Sequence, residues 1–429
     1  MSETTQVKSE GLNEAGEVGP TLPMSPGSMQ IALVAYVCAP DEGSEPGAGW
    51  VWARLLSEIG DVWLVTLDDE RAVRTQQAIE SLGPTGRIRL VAVPFPRWWR
   101  GPIRRFERLS YVAWMLGMPV GVRALEVSFD LAWHVTFGNA WLGSTAQDLA
   151  PQFVLGPVGG GVGTPWRIVP ALGWRGATFE VGRATARLIG RWLNPLSRSA
   201  WSRAALVLTQ NPQTVQWLPR AVRSRAEFFP QMALEIAPRV LGDSVRGALK
   251  LPDEERHALV VGRLVPWKGG ALAIRALSHL PGWRLVFVGE GPDRERLDKL
   301  ARKLGLRERV EFTGWLPRDV VLDRMRYGAD VLLLPSLHDE GGWVVAEAVT
   351  IGLPVVCLDR GGPSALGGRG VSTTTPNRTA RALAHACLDA ASQRSEPDDR
   401  WSRARRLEAL RRLLVERGVI RIPAAMAGG

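Results

Sequence analysis

"DVLLLPSLHDEGGWVVAEAVTIGLPVVCLD", residues 330–359, contains two apolar runs of strand length on either side of a stretch predicted as a helix near residues 342–352. A strand, a crossover helix and a second strand make up the repeating unit of a parallel sheet. The turn after the first strand carries Asp339, Glu340 and a glycine pair, and the helix carries Glu347. The stretch therefore predicts an α/β fold with three acids near the carboxyl end of a strand, where ligands of such sheets bind.

The same alternation of strand-like and helix-like runs extends through both halves of the chain. The strand-like runs of the first half are "MQIALVAYV", "DVWLVTL", "IRLVAVPF", "LAWHVTF", "PQFVLGPV" and "AALVLTQN", and those of the second half are "ALVVGRL", "WRLVFVGEG", "VEFTGWL", "DVLLLPSL" and "PVVCLD". Helices are predicted near residues 269–280, 292–304 and 317–328 in addition to the one near 342–352. With 429 residues and 45% hydrophobic content, the chain is long enough for two cores. We therefore expect two domains, each built on a parallel sheet.

Changes in composition predict four segments. Residues 1–28 are polar and rich in Gly, Pro and Ser, without the apolar run of a signal peptide or membrane span, and are predicted to be a disordered tail. Periodicity is lost over roughly residues 230–256, which indicates a domain boundary. The segments that follow are residues 29–238 as an N-terminal domain, 239–400 as a C-terminal domain, and 401–429 as a final helix and tail.

Charge and cysteine content limit the classes of function. Cys38, Cys357 and Cys387 are an odd number of widely separated thiols, which favours reduced cysteines and a cytoplasmic protein. The formal charge of +10 fits either a polyanionic partner or many solvated arginines. No helix-turn-helix or aromatic RNA-binding motif is present, so no nucleic acid partner is predicted.

The predicted strand ends of the second half carry cations, carboxylates and glycines. Arg263 and Lys268 follow the first of these strands, Glu290 follows the second, and the glycine pair Gly341-Gly342 precedes the helix that holds Glu347. Taken singly, these residues fit ordinary surface charges and a tight turn. Together they suit an anionic ligand that also carries hydroxyls, because a helix N-terminus attracts anions. Neither a Walker loop nor an intact G-x-G-x-x-G is present.

These motifs resemble those of a known enzyme family. "GRLVPWKGG", "VGEGP", "VEFTGWLP" and "PSLHDEGGWVVAEAVTIGLPVV" look like the donor half of the retaining glycosyltransferases of family 4, which have the GT-B fold. "EPGAGWVWARLL", "WHVTFGNAW" and "GPVGGG" resemble segments of its acceptor half. The resemblance covers roughly residues 29–400 and implies two Rossmann-like domains facing each other across a cleft. It implies transfer of a sugar from a nucleotide-diphosphate sugar to an acceptor, with retention of anomeric configuration.

The resemblance also implies roles for individual residues. Arg263 and Lys268 would bind the donor diphosphate, Glu347 the ribose, Asp339 the transferred sugar, and His134 the sugar or acceptor. The donor-binding set that it implies is Gly47, Gly49, Arg263, Lys268, Gly289, Glu290, Thr313, Gly314, Trp315, Leu316, Gly341, Gly342, Trp343 and Glu347. No cofactor and no metal would be needed, since the nucleotide sugar is a co-substrate. For His134 the alternative is a structural histidine with satisfied hydrogen bonds.

One residue departs from the family pattern. The family usually carries two glutamates eight positions apart, and the position eight before Glu347 is Asp339, not Glu340. Asp339 thus takes the place of the first acid with a side chain one methylene shorter. Glu340 is an additional acid, which is expected to point to the other side of the turn.

Two arginine-rich stretches of the first half predict contact with an anionic membrane surface. Residues 96–123 contain six arginines (97, 100, 104, 105, 108 and 123), and residues 165–204 contain seven. Arg183, Arg187 and Arg191 are four apart and therefore share one helical face. A basic helix interleaved with aromatic residues favours a peripheral position on the inner face of the membrane and a lipid-linked saccharide as acceptor. The alternatives are a solvated basic face, a soluble acceptor, and a non-catalytic scaffold that binds sugar nucleotides.

Overall fold

The computed structural model describes residues 28–40, 42–83, 86–99, 106–236, 255–393 and 395–420. All but the last residue of the predicted disordered tail lies outside these residues, as does the predicted boundary between residues 238 and 239. The described residues form two domains, each with one parallel sheet. The predicted α/β class with two parallel-sheet domains is therefore confirmed.

The first domain is a seven-stranded sheet with the order β3-β2-β1-β4-β5-β6-β7 and parallel pairing throughout. Its strands are β1 (Gln30–Ala35), β2 (Asp61–Leu67), β3 (Ile88–Val93), β4 (Leu131–Thr136), β5 (Gln152–Val158), β6 (Leu206–Thr209) and β7 (Ala226–Phe228). In β1, Ala32 and Val34 join one core cluster while Ile31 and Leu33 join the other. Because side chains alternate along a strand, both faces of the sheet are buried.

Helices cover both faces of this sheet. They are α1 (Ser44–Leu56), α2 (Glu70–Ser81), α3 (Glu107–Arg123), α4 (Gly173–Trp192), α5 (Pro195–Arg203), α6 (Pro212–Trp217) and α7 (Arg220–Arg223). Local sequence explains several of their starts. The Asp69 side chain accepts hydrogen bonds from the first amides of α2, and Asn194 and Asn211 cap α5 and α6, each followed by a proline at the first helical position.

The second domain is a six-stranded parallel sheet with the order β10-β9-β8-β11-β12-β13. Its strands are β8 (Arg256–Val261), β9 (Trp283–Val288), β10 (Val310–Gly314), β11 (Val331–Leu334), β12 (Val355–Leu358) and β13 (Arg369–Val371). Its helices are α8 (Gly270–Leu277), α9 (Arg294–Lys303), α10 (Arg318–Tyr327), α11 (Trp343–Ile351), α12 (Gly361–Ala365) and α13 (Pro376–Ala391). The four predicted helices of this half correspond to α8 to α11.

Strand order reverses once in each sheet, and these reversals position the site. In the first sheet it reverses between β1 and β4, and in the second between β8 and β11. At such a point the loops that follow the two strands diverge to opposite faces of the sheet and leave a crevice beyond the carboxyl ends. Each domain therefore offers one crevice formed by the loops after its two central strands.

The last helix, α14 (Arg403–Glu416), returns from the second domain to the first. Leu410 and Leu414 belong to the same core cluster as Ile31 of β1. Arg406 is buried, stacks 3.6 Å from the ring centre of Phe229 and donates to two backbone carbonyls. This helix thus packs against the first domain although it follows the second domain in the sequence. Across the part of the chain that the structure describes, no helix combines the length and the apolar character needed to span a membrane.

Candidate functional site

The two crevices open onto one cavity of about 690 Å³ between the domains. Each of the four central strands contributes lining residues from the loop or helix that follows it: Glu45 after β1; Phe137, Gly138 and Asn139 after β4; Gly262, Arg263 and Lys268 after β8; and Asp339 to Val344 after β11. Residues separated by up to 299 positions in the sequence are thus brought to one place. We call the lining from the second domain the donor side and the lining from the first domain the acceptor side.

The two cations predicted to hold a diphosphate both line the donor side. Arg263 lies just beyond β8, and Lys268 ends a short helical turn, Pro266–Lys268. The Lys268 Nζ lies 2.6 Å from the Asp339 Oδ2, so the cation already has an anionic partner. The turn can pack this closely because residue 269 is glycine: a Cβ there would lie 1.9 Å from the Pro335 carbonyl oxygen, and its φ is +76°.

Asp339 and Glu340 point to different domains, although both line the cavity. Asp339 faces Lys268 of its own domain. The Glu340 Oε2 accepts a hydrogen bond of 2.9 Å from the Asn211 Nδ2 of the first domain, and Asn211 also donates to the Glu340 carbonyl oxygen at 3.0 Å. The two side chains thus diverge as the spacing of eight led us to expect. Contact between Asp339 and a sugar stays a prediction.

The glycine pair and the helix that follows present backbone amides to the cavity. Gly341, Gly342 and Trp343 all line it, and α11 begins directly after Gly342, whose φ is +88°. A left-handed residue at this position turns the chain sharply into the helix, so the first amides of α11 lie beside the cavity. The donor side therefore combines two cations with the positive end of a helix.

Glu347 lies deeper, outside the cavity lining. Its carboxylate is buried and accepts a 2.6 Å hydrogen bond from the Arg318 Nε. Burial raises the pKa of Glu347, and the charge and hydrogen bond of Arg318 oppose the increase. Arg318 is itself half exposed at 52%, so the pair can open toward a ligand. A contact with ribose stays a prediction.

The remaining predicted donor residues surround the ends of β9 and β10, beside the cavity lining. The Gly289 amide donates to the Gly314 carbonyl oxygen at 2.8 Å, which joins the two strand ends. The Glu290 side chain lies over Gly314, and Thr313 donates to the Phe287 carbonyl oxygen. Trp315 is 70% exposed, whereas Leu316 packs against the core. The ring of Trp315 is therefore available to a planar ligand such as a base.

Gly47 and Gly49, which the resemblance placed in the donor-binding set, lie in a helix. Both lie within α1, where a Cβ on Gly47 would be 2.2 Å from the Glu42 carbonyl oxygen and one on Gly49 would be 3.0 Å from that of Val37. Close packing of the helix against the preceding loop thus explains both glycines. Neither lines the cavity, whereas Glu45 of the same helix does. Their contact with the donor stays a prediction.

His134 has the geometry of a structural histidine whose two ring nitrogens are both hydrogen-bonded within the protein. It is 1% exposed, and its Nε2 lies 3.2 Å from the Phe137 carbonyl oxygen, to which it donates. Its Nδ1 lies 3.0 Å from the Ser144 hydroxyl, from which it accepts. Burial lowers the pKa of His134 to about 4, so the ring is neutral at pH 7. A contact with a sugar would require this network to open, and it stays a prediction.

The arginines of α4 in the second arginine-rich stretch contact the first domain itself. The Arg183 Nη1 donates to the Val162 carbonyl oxygen at 3.0 Å, and Arg187 donates to those of Gly160 and Gly161 at 2.9 and 2.8 Å. Arg191 stacks on Trp217 at 5.4 Å. The three arginines share one face of α4, as their spacing predicted, but that face packs against residues 160–162 and Trp217 and does not present the basic surface on which the predicted membrane contact rested. In the first stretch, Arg100, Arg104 and Arg105 lie outside the described residues.

Sequence reasoning missed most of the acceptor side. Glu45, Glu107, Arg108, Gln210 and Gln231 line the cavity without having been predicted. Burial raises the pKa of Glu45 to about 7, and repulsion from Glu107 adds to the increase. The Gly138 amide, which donates a 3.3 Å hydrogen bond to the Glu45 Oε2, opposes the increase. Of these five residues, only Glu45 lies in a motif that the sequence analysis had singled out, since it is the first residue of "EPGAGWVWARLL". The others come from helices and loops that reach the cavity only when the domains are assembled.

Comparison with known proteins agrees with this geometry. The profile of the family "Glycosyl transferases group 1" matches residues 243–407, which include the donor side. A 2-deoxystreptamine N-acetyl-D-glucosaminyltransferase of Streptomyces fradiae is 29% identical over 322 residues, 72% of this chain and 73% of that protein. The lipopolysaccharide core biosynthesis glycosyltransferase LpsD of Rhizobium meliloti is 36% identical over 123 residues, 28% of this chain and 34% of that protein.

A solved structure supports the fold. Anabaena HepE in complex with UDP and glucose superposes with a TM-score of 0.52 at 16% identity, covering 90% of this chain and all of that one. At this level of identity the likeness concerns the fold alone. The chain is therefore similar to the group 1 glycosyltransferases and resembles family 4, and its two parallel-sheet domains share the GT-B fold of the solved structure.

Proposed function

We propose that the protein transfers a sugar from a nucleoside diphosphate sugar to an acceptor hydroxyl, with retention of anomeric configuration, and that it needs neither a metal nor a cofactor. The observation that carries the proposal is the meeting of Arg263, Lys268 and the first amides of α11 at one cavity. These groups suit a diphosphate, on which negative charge grows as the bond to the sugar breaks. Retention rests on the resemblance of the donor motifs to family 4.

Each donor-side residue has a task in this scheme. Arg263 and Lys268 bind the diphosphate, and Lys268 exchanges Asp339 for a phosphate oxygen when the donor enters. Asp339, released from Lys268, accepts hydrogen bonds from hydroxyls of the transferred sugar. Glu347 accepts from the ribose, and Trp315 stacks on the base. The acceptor lies against Glu45, Gly138 and Asn139 on the other side of the cavity.

A thermal-shift panel of nucleoside diphosphate sugars tests donor binding. A donor at 100 times its dissociation constant stabilises the folded protein by about 2.7 kcal/mol, so a true donor stands out from the panel. Release of the nucleoside diphosphate with a suitable acceptor then tests transfer, and NMR of the first product formed tests retention. A protein that binds no member of the panel would contradict the proposal.

We further propose that the protein is cytoplasmic, binds peripherally to an anionic membrane, and uses a lipid-linked acceptor. The support is the outward face of α4, on which Trp174, Val181, Leu188 and Trp192 are 73%, 55%, 62% and 63% exposed. Spacings of seven, seven and four place them on one side of the helix. Exposed apolar residues on a chain of net charge +10 suit the boundary between headgroups and acyl chains.

Sedimentation with liposomes tests the membrane proposal. Binding should require anionic lipid, weaken as salt screens the charges, and fall at least about tenfold when Trp174 and Trp192 are both replaced by Ser. Val73→Ser is the matched control, since Val73 is 60% exposed on α2 and should leave binding unchanged. Indifference to lipid at low salt would favour the alternative of a soluble acceptor, for which the Streptomyces relative is the precedent.

A further inference from the structure

Three rings from the two domains stack behind the donor side of the cavity. Phe179 of α4 lies 4.1 Å from Trp267, centre to centre, with an angle of 10° between the planes. His338 completes the stack, 5.9 Å from Trp267 and 6.2 Å from Phe179. Phe179 belongs to the first domain and the other two rings to the second, so the stack spans the domain interface. We call these three rings the interdomain stack.

A buried carboxylate of α4 reinforces this contact. Glu180, whose side chain is fully buried, accepts a 2.6 Å hydrogen bond from the His338 Nε2. Its other oxygen accepts from the Thr164 hydroxyl at 2.6 Å, and Arg183 lies 3.4 Å away. Burial raises the pKa of Glu180. The hydrogen bonds from His338 and Thr164 and the nearby positive charges outweigh this effect and lower the pKa to about 2. Glu180 therefore stays ionised and fixes the imidazole from the opposite domain.

Both residues contacted in the second domain directly precede a donor-side residue. Trp267 precedes Lys268, and His338 precedes Asp339. The Leu337 amide also donates to the Trp267 carbonyl oxygen at 2.8 Å, so the two loops form one unit. A shift of the interdomain stack would thus move Lys268 and Asp339 together.

The loop around Asp339 is held by the first domain on both sides. His338 binds Glu180, and Glu340 binds Asn211. Asp339, between these two anchored residues, faces Lys268 of its own domain. The backbone on either side of Asp339 therefore cannot rotate without breaking a bond to the first domain, and this determines where the Asp339 carboxylate points.

We propose that Phe179 and Glu180 are positioning residues for sugar transfer, acting through Trp267 and His338 on Lys268 and Asp339. The role in transfer rests on the proposed function. In this scheme the donor side is complete only while α4 is docked against the second domain. The first domain thus contributes to donor chemistry without contacting the donor at these residues.

Kinetics of Phe179→Leu, Phe179→Tyr and Glu180→Gln test the proposal. Leucine keeps the apolar volume without a ring, and we expect kcat to fall at least tenfold, whereas tyrosine keeps the ring and should retain kcat within about threefold. Glu180→Gln keeps the shape but loses the charge, and should also lower kcat. Thr178→Ala is the matched control, because Thr178 is exposed on the same helix and its hydroxyl donates to the Arg175 carbonyl oxygen within that helix. Unfolding temperatures show which variants are folded, and Glu180→Gln carries the test if Phe179→Leu is not.

A double-mutant cycle distinguishes positioning from general structural support. If Phe179 acts through Asp339, adding Phe179→Leu to Asp339→Asn should cause little further loss of kcat, because residues that act as a unit are not additive. Multiplicative losses in the double mutant would overturn the inference. They would leave the proposed function intact as long as the Asp339 variant itself is impaired.

Hydrogen exchange gives a readout that does not depend on catalysis. Without ligand, amides of residues 336–342 should exchange at least tenfold faster in Phe179→Leu and Glu180→Gln than in the wild type or in Thr178→Ala. Unchanged exchange would overturn the inference even if the protein proved to transfer no sugar. Faster exchange together with a failed donor screen would support ordering of the loop by α4 and would count against the proposed function alone.

Discussion

The donor and acceptor sides of the cavity differ in how their charges are balanced. On the donor side, Lys268 pairs with Asp339, and Glu347 behind it pairs with Arg318. On the acceptor side, the Gly138 amide is the group among the described residues that lowers the pKa of Glu45, whereas burial and the charge of Glu107 raise it. The donor side is thus prepared to exchange one anion for another. The acceptor side holds a carboxylate whose ionisation is costly in the free protein.

The largest expected effect comes from the donor cations. Replacing Arg263 and Lys268 together with Ala should lower the rate of transfer about 100- to 1,000-fold or more, because interactions with charge that develops in the transition state are worth about 2.7–4 kcal/mol. The fold should persist, since both residues line an open cavity. Initial rates with saturating acceptor provide the measurement. Near-normal activity of a folded double variant would contradict the assignment of the donor side.

The second prediction separates the two adjacent acids. Asp339→Asn should lower transfer about 10- to 150-fold, because it removes a charged hydrogen-bonding partner worth about 1.5–3 kcal/mol. Glu340→Gln keeps an acceptor for Asn211 and should cost at most about fivefold. Rates of both variants at several donor concentrations make the comparison. Equal losses, or a larger loss at Glu340, would show that the spacing of eight selects the wrong acid.

Whether a feature of the site could be predicted from the sequence depends on how far apart in the sequence its residues lie. The donor side was predictable because Arg263, Lys268 and Asp339 each follow a strand within a few residues, and parallel strands share one edge. The short edge strands β7 and β13 were missed, since three residues show no periodicity. The acceptor side and the bonds of Glu180 and Asn211 join residues more than 100 positions apart. No local pattern encodes such contacts.

The same limit explains the wrong orientation of the α4 arginines. Their spacing of four correctly placed them on one face of a helix, Gly173–Trp192. Periodicity cannot say which face turns inward when one is basic and the other apolar. In the structure the carbonyl groups of residues 160–162 accept hydrogen bonds, and Arg183 and Arg187 donate them. The apolar face of α4 is therefore exposed, and the proposed membrane contact rests on this apolar face instead of on the arginines.

The third prediction concerns Glu347 behind the donor side. Glu347→Gln should weaken binding of a nucleoside diphosphate about tenfold, since a hydrogen bond to a charged group is worth about 1.5 kcal/mol or more. If the partner is ribose, binding of inorganic pyrophosphate should not change. Calorimetry without acceptor measures both ligands, and Glu311→Gln, an exposed acid of the same domain, serves as control. Equal weakening of both ligands would place Glu347 on the phosphates instead.

The smallest expected effect is on stability and comes from the acceptor side. Because burial raises the pKa of Glu45 to about 7, the folded protein favours the neutral carboxyl, and its contribution to stability is present below about pH 4.5 and lost as pH rises through 7. Glu45→Gln cannot ionise. The variant should therefore match the wild type at pH 4 and exceed it at pH 8 by about 1–2 kcal/mol, allowing for partial exposure of the side chain, since one pKa unit corresponds to about 1.4 kcal/mol. Thermal unfolding at the two pH values should show a gain of at least about 2 °C at pH 8 only. A variant that is less stable than the wild type at pH 8 would mean that Glu45 has an opposite charge beside it, and the contrast between the two sides of the cavity would then fail.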